Sequence, residues 1–325
     1  MRVLLSLIVF IAVAAAAVVG AALWEDYHFA KPGPAASETV LIVEPGSSLR
    51  RIAGELDEAG IVENAFLFRA GVMRRGKATQ LKAGEYGFPA HVSEAEAMDM
   101  LVEHKTIEHP ITIAEGLTSD AAVALVNAHP VLTGDPPVIP EGSLLPETYL
   151  FERGTTRAEI LDRMHKAQEQ LLAELWPKRK EGLPFATPEE ALKLASIVEK
   201  ETAIPSERPR IAAVFINRLR NGMRLESDPT IIYGLTKGVP LGHPLRQSEL
   251  ATPNPYSTYQ IGGLPPTPIC NPGRDAIAAV LNPPDSDELF FVADGSGGHV
   301  FAKTMAEHGR NVAQLRRLEQ AQSGR

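Results

Sequence analysis

Twenty-one successive residues without a charge, Val3 to Leu23 (VLLSLIVFIAVAAAAVVGAAL), constrain this chain more than any other feature. At a helical rise of about 1.5 Å per residue the run covers a hydrocarbon core of about 30 Å, so it predicts a single membrane-spanning helix. A cleaved signal peptide is the competing reading, because small residues such as Ala14 to Ala17 offer a cleavage site. The apolar part of a signal peptide is ordinarily only about 7–15 residues long, and the longer run favours an uncleaved anchor. Arg2 and the amino terminus precede the run, and Trp24, Glu25 and Asp26 follow it. The positive-inside tendency then leaves the N-terminus cytoplasmic and everything after Trp24 outside. In a bacterium this means a single pass through the inner membrane with the bulk of the chain periplasmic, where wall and envelope polymers are the substrates at hand.

The 325 residues suffice for two or three domains with a substantial core. A formal net charge of -8, with no long block among the 32 Lys and Arg, argues against a nucleic-acid partner, since phosphate neutralisation needs a basic surface. The single cysteine, Cys270, excludes an intramolecular disulfide and a multi-cysteine metal cage, and reads as a small buried apolar residue.

Past the anchor (residues 1–24), the Pro/Gly/Ala-containing stretch HFAKPGPAASE reads as part of a tether over 25–37. Residues 38–106 predict a small α+β module. ETVLIVEPG is a short strand ending at a Pro-Gly turn, and SLRRIAGELDEAG a capped helix with Leu49, Ile52, Ala53 and Leu56 on one face. ENAFLFRAGVMRR is a second helix, LKAGEYGF a strand and SEAEAMDMLVEHK a further capped helix. Residues 107–325 read as a mainly helical region with a few strands. It includes a strand in HPITIAEGLT, an amphipathic helix from about Arg157 to Lys180, a strand in ELFFVADG and a charged last helix from about Thr304. The fold class is therefore α+β.

The stretch ASIVEKETA sets Glu199 and Glu201 two residues apart at the end of a helix with a strong start signal. Thr187 is placed as N-cap, Pro188 occupies the first helical position and Glu190 completes a capping box. At about 100° per residue Glu201 falls within about 60° of Leu194, Ile197 and Val198, whereas Glu199 lies about 160° away near Leu192, Ala195 and Ser196. The more continuous apolar stripe thus holds Glu201, the carboxylate expected to be hidden. Lost hydration and the negative end of the helix dipole both raise its pKa. A protonated, half-buried Glu is what glycosidic-bond cleavage needs as proton donor. A solvated or ion-paired Glu is the ordinary alternative, and Lys200 and Arg208 are near in sequence.

LASIVEKETAIPSERPRIAAVFINRLRNGMRLESDPTIIYGL, residues 194–235, resembles the core signature of the endolytic murein transglycosylases, the MltG or YceG-like family. EGSLLPETYLF upstream, and NPYSTYQIGGLPPTPICNPG and LFFVADGSGGHVF downstream, resemble the same family in the same order. The resemblance covers nearly the whole chain. It implies a membrane-bound lytic transglycosylase cutting nascent peptidoglycan strands, with a LysM-like module ahead of a YceG-like catalytic domain and with penicillin-binding peptidoglycan synthases among its partners. It also implies Glu201 as catalytic acid, the residue the face argument favours independently. One carboxylate suffices for such chemistry, because the C6 hydroxyl of the sugar itself replaces water as nucleophile.

Other candidates are secondary. Thr202 follows the acid, where its hydroxyl either orients Glu201 or simply ends a helix. Glu199 is the neighbouring carboxylate. Asn217 and Arg218 flank the apolar face of their helix, and Tyr233, Tyr256 and Tyr259 suit stacking on pyranose rings or plain packing. Ser257 stands where the family pattern has Asn. Glu147 and Glu226 are acidic residues within the resemblance, and Asp228 before Pro229 reads as an N-cap. No G-x-G-x-x-G, Walker loop or H-E-x-x-H occurs and the nine histidines are scattered, so neither cofactor nor metal is expected. Ser296 in DGSGGH lacks nucleophile-elbow spacing. The rival function is a non-catalytic peptidoglycan-binding scaffold, which would have no use for an acid on an apolar helix face.

Overall fold

The computed structural model describes residues 2–323; Met1, and with it the amino terminus on which the expected orientation partly rests, lies outside the described residues, as does the Arg2 side chain. The chain forms two compact units, one running to His109 and taking in Leu150–Gly154, the other comprising Pro110–Tyr149 and Thr155 onward. Helices and strands are mixed in both, an α+β chain with an apolar helix at its start.

In the first unit α1 (Arg2–Ala30) carries the uncharged run, and its side chains from Leu4 to Ala21 are exposed. β1 (Thr39–Val43), α2 (Leu49–Glu58), α3 (Ala65–Arg74), β2 (Gly84–Phe88) and α4 (Glu94–Glu103) follow in the expected order. β1 and β2 pair antiparallel with Leu41 opposite Tyr86 and Val43 opposite Gly84. Ser48, Asn64 and Ser93 cap the three helices, each accepting from a backbone N–H in the first turn. Ile52, Leu56, Phe68, Val72, Tyr86, Phe88 and Leu101 close the core.

The expected tether is docked rather than free. α1 continues past Leu23 to Ala30, and Phe29 enters the core 1% exposed. A Cβ on Gly71 of α3 would fall 2.3 Å from the Phe29 ring, so only glycine lets the two helices approach this closely. Arg75 bonds Glu25 at 2.8 Å and Asp26 at 2.6 Å, and its guanidinium lies 4.0 Å from the Phe29 ring centroid. Further on, Gly33 N–H donates to His91 O and His91 N–H to Ala35 O. Composition marked this stretch as loop; the partners that hold it lie far along the chain.

β3 (Glu108–Thr112) and β4 (Thr148–Glu152) form a second two-stranded sheet. The second unit adds α5 (Ser119–Ala128) and α6 (Arg157–Leu175), the latter stopping short of Lys180 in a 3₁₀ turn over Trp176–Lys178. Pro177 supplies no N–H to continue the ladder. α7 (Pro188–Glu201) is the central helix, packed against α8 (Arg208–Arg220), α9 (Asp228–Thr236) and, past the short α10 (Gln247–Ala251), α11 (Arg274–Leu281). A hairpin of β5 (Phe290–Ala293) and β6 (His299–Ala302) is covered by α12 (Met305–Ser323). The capping box of α7 forms as expected: Thr187 accepts from Glu190 N–H at 3.2 Å and the Glu190 carboxylate accepts from Thr187 N–H at 3.3 Å.

Candidate active site

The two carboxylates of α7 end in different surroundings. Glu199 accepts from the Arg208 guanidinium at 2.8 Å and from Gly273 N–H at 2.9 Å, and Arg208 also bonds Glu115 at 2.8 Å. Burial pushes the Glu199 acid up, while Gly273 N–H and Arg208 pull it back. This pair staples the end of α7 to the starts of α8 and α11.

Glu201, the last residue of α7, accepts a hydrogen bond from the Ser227 hydroxyl. Burial raises its pKa from 4.5 to about 7; the Ser227 bond lowers it, the Asp228 charge raises it and His299 lowers it. The expectation that Glu201 rather than Glu199 would be the hidden carboxylate needs correction: Glu199 is buried with Leu192, Ala195 and Ser196, whereas Glu201 keeps partial exposure at the helix end. α7 is covered everywhere but on the narrow face of Glu189, Lys193 and Lys200, so its apolar surface is not a single stripe, and its buried polar groups survive by being bonded. Ser196 does so by donating to Lys193 O and accepting from Ile269 N–H.

Ser227 is the residue that sequence reasoning missed. It stands at the N-cap of α9 without capping it. Such a side chain normally accepts from the second or third helical N–H. Here the second position is Pro229, which has none, and the third, Thr230 N–H, bonds the Ser227 carbonyl at 3.2 Å. With no first-turn N–H to accept from, the hydroxyl is turned toward Glu201, to which it donates. Its backbone is fixed by Thr258 Oγ1 at 2.9 Å and by the Thr230 hydroxyl at 2.6 Å, and these two threonines bond each other at 3.0 Å. A proline two places after a potential cap was the available signal. Asp228, expected as the cap, occupies the first helical position instead, and its carboxylate accepts from Tyr259 OH at 2.8 Å. Burial, then the Asp228 charge, pushes the Tyr259 phenol up.

Thr202 does not orient Glu201. Its hydroxyl donates to Glu207 at 3.1 Å and accepts from Ile204 N–H at 3.0 Å, shaping the turn that leaves α7. Glu207 in turn binds His299 through its ring nitrogen and its N–H, both at 2.8 Å. Burial pushes this acid up, but the bonds from His299 and Thr202 outweigh it and hold it low.

Asn217 is engaged elsewhere, donating to Ser286 O at 2.7 Å and Glu288 O at 3.1 Å ahead of β5. Arg218 likewise serves backbone carbonyls, those of Leu289, Arg224 and Leu225. Tyr233 and Tyr256 meet edge to face with ring centroids 4.9 Å apart; Tyr233 donates to Glu141 at 3.0 Å, and the Tyr256 hydroxyl lies 3.0 Å from that of Thr267. Glu201, Ser227, Asp228 and Tyr259 thus come together, Tyr233 and Tyr256 make a separate pair, and Asn217 joins neither.

The profile of the YceG-like family matches residues 41–314. A Streptococcus pneumoniae (serotype 2, strain D39) protein named endolytic murein transglycosylase is 31% identical over 321 residues, covering 84% of this chain and 57% of its own length. A Bacillus subtilis (strain 168) protein of the same name is 34% identical over 172 residues, covering 52% of this chain and 46% of its own length. This chain therefore spans about half the length of the curated relatives it matches. A crystal structure described as a yceG-like protein of Listeria monocytogenes superposes with a TM-score of 0.53 at 28% identity, covering 84% of this chain and 98% of that one. With most of its length matched by one profile, the chain belongs to the YceG-like family.

Proposed function

We propose that this chain is an endolytic lytic transglycosylase of peptidoglycan, anchored by α1, that cuts the bond between N-acetylmuramic acid and N-acetylglucosamine in nascent strands and limits their length. The observation that carries the reading is Glu201, a carboxylic acid whose burial lifts its pKa to about 7 within a site built to hold it. The names of the relatives support the substrate. Glu201 gives its proton to the glycosidic oxygen as the bond from C1 breaks. The resulting carboxylate then takes the proton of the C6 hydroxyl as that oxygen bonds C1, leaving a 1,6-anhydro ring and consuming no water. Ser227, donating to one carboxylate oxygen, orients the group throughout.

Mass spectrometry of products from uncrosslinked glycan strands tests this. Anhydro ends are expected; reducing ends carrying solvent oxygen would mean hydrolysis. Because the acid must be protonated to begin, kcat/KM should fall as pH rises through about 7. Ser227→Ala removes a bond that favours the charged form, so this limb should move to higher pH while the maximum drops.

The first unit is read as a LysM-like module that grips the wall. Its two-stranded antiparallel sheet with α2 and α3 between the strands supports that reading. Removing residues 38–106 should weaken retention on insoluble peptidoglycan, and unchanged retention would count against it. The same reading places everything after Trp24 outside the inner membrane, so protease added to intact spheroplasts should digest it.

A further inference from the structure

The proton chemistry at Glu201 makes no use of a neighbouring opening in the second unit. A cleft of about 720 Å³ lies among the segment after Gly116, the body of α9 and the loop from Lys237 to Pro240. That size suits a small-molecule or short-chain ligand. Two of its lining residues adjoin the acid site: Lys200 immediately precedes Glu201, and Pro229 immediately follows Asp228. Leu117, Ile232, Val239 and Ile269 make the walls apolar, and Val239 is 64% exposed.

Three charged side chains line this apolar cleft, Asp120, Lys200 and Lys237. Lys200 donates to Gly116 O at 3.2 Å, and Lys237 rests about 5 Å above the rings of Tyr233 and Tyr256. Among the described residues, neither ammonium has a carboxylate at ion-pair distance. The wall that presents Lys237 is under constraint. Lys237 has φ 56° and Gly238 φ 88°, and a Cβ on Gly238 would lie 2.4 Å from the Thr118 methyl. A lysine held left-handed at a helix end, where glycine is the usual choice, keeps its charge over the cleft at a cost to the backbone.

Resting on the transglycosylase reading, we propose that this cleft is the subsite for the stem peptide carried by the muramic acid residue. Charge complementarity decides between the parts of the substrate. The glycan backbone offers uncharged hydroxyl and acetamido groups, which have no need of Lys200, Lys237 or Asp120. The stem is a short peptide with alanine methyls, free carboxylates and an amine. Its methyls meet the apolar walls, its carboxylates the two ammonium groups and its amine Asp120.

The test compares kcat/KM on uncrosslinked strands bearing intact stem peptides with kcat/KM on strands stripped of them by an amidase. The full chain should prefer peptide-bearing strands by at least about tenfold, on the scale of one charge-assisted hydrogen bond. Lys237→Glu should bring that ratio close to one. Lys237→Gly suits the left-handed position, so it should melt no lower than the parent while also losing most of the preference, which separates charge from folding. Equal use of both strands by the parent protein, or an unchanged ratio in Lys237→Glu, would overturn the subsite. Anhydro ends formed with no preference would remove the subsite alone; absence of cleavage on either strand would remove the transglycosylase reading and the subsite with it.

Discussion

Glu201→Gln should lower the rate of strand cleavage by about 10²–10⁴-fold, the usual worth of a positioned general acid, while the folded protein becomes more stable at alkaline pH. The second half follows from the sign of the pKa change. Folding raises the Glu201 pKa from 4.5 to about 7, so the native state holds a proton that the unfolded chain has released. Stability therefore falls as pH rises from 4.5 to about 7, and above that the native state bears the full cost, on the order of 3 kcal/mol. Glutamine does not ionise and escapes it. Urea unfolding at pH 8 should find the variant stabilised by up to that amount, and at pH 4 the two proteins should coincide. A variant that still released anhydro ends at the parental rate would end the assignment of the acid.

Glu199→Ala should do the reverse, unfolding the second unit more readily with chemistry affected only through folding. Removing one partner of a buried ion pair typically costs about 3–5 kcal/mol. The lower end applies, because Arg208 keeps Glu115, although Gly273 N–H loses its acceptor. Thermal melts at pH 7 check this. A variant that melts like the parent but has lost all cleavage would exchange the roles of the two glutamates.

The contrast marks where reading the chain in one dimension succeeds. The Thr187, Pro188 and Glu190 cap sets the start of α7, so the helix and its cap were legible from local residues. The strand and helix order of the first unit was legible for the same reason: its turns and caps are written next to the elements they end. The Ser227 hydroxyl was not, because it reaches Glu201 across 26 residues and depends on Thr258 farther on. Nor was the enclosure of Glu199, whose covering groups come from Glu115, Arg208 and Gly273. Of the two readings of Thr202, ending the helix is the one that fits, because the chain turns sharply after α7 and the hydroxyl follows the turn toward Glu207. Periodicity describes a helix face; it does not say what closes over the opposite one.

The passage of α1 into the core of the first unit has a mechanical consequence. Because Phe29 is gripped beside Gly71 and the helix runs unbroken to Ala30, tilt or rotation of the apolar segment is transmitted to the whole module. The module stands on a post, not a leash. With that post set in a bilayer, as proposed, the module's standoff from the lipid surface would be nearly constant.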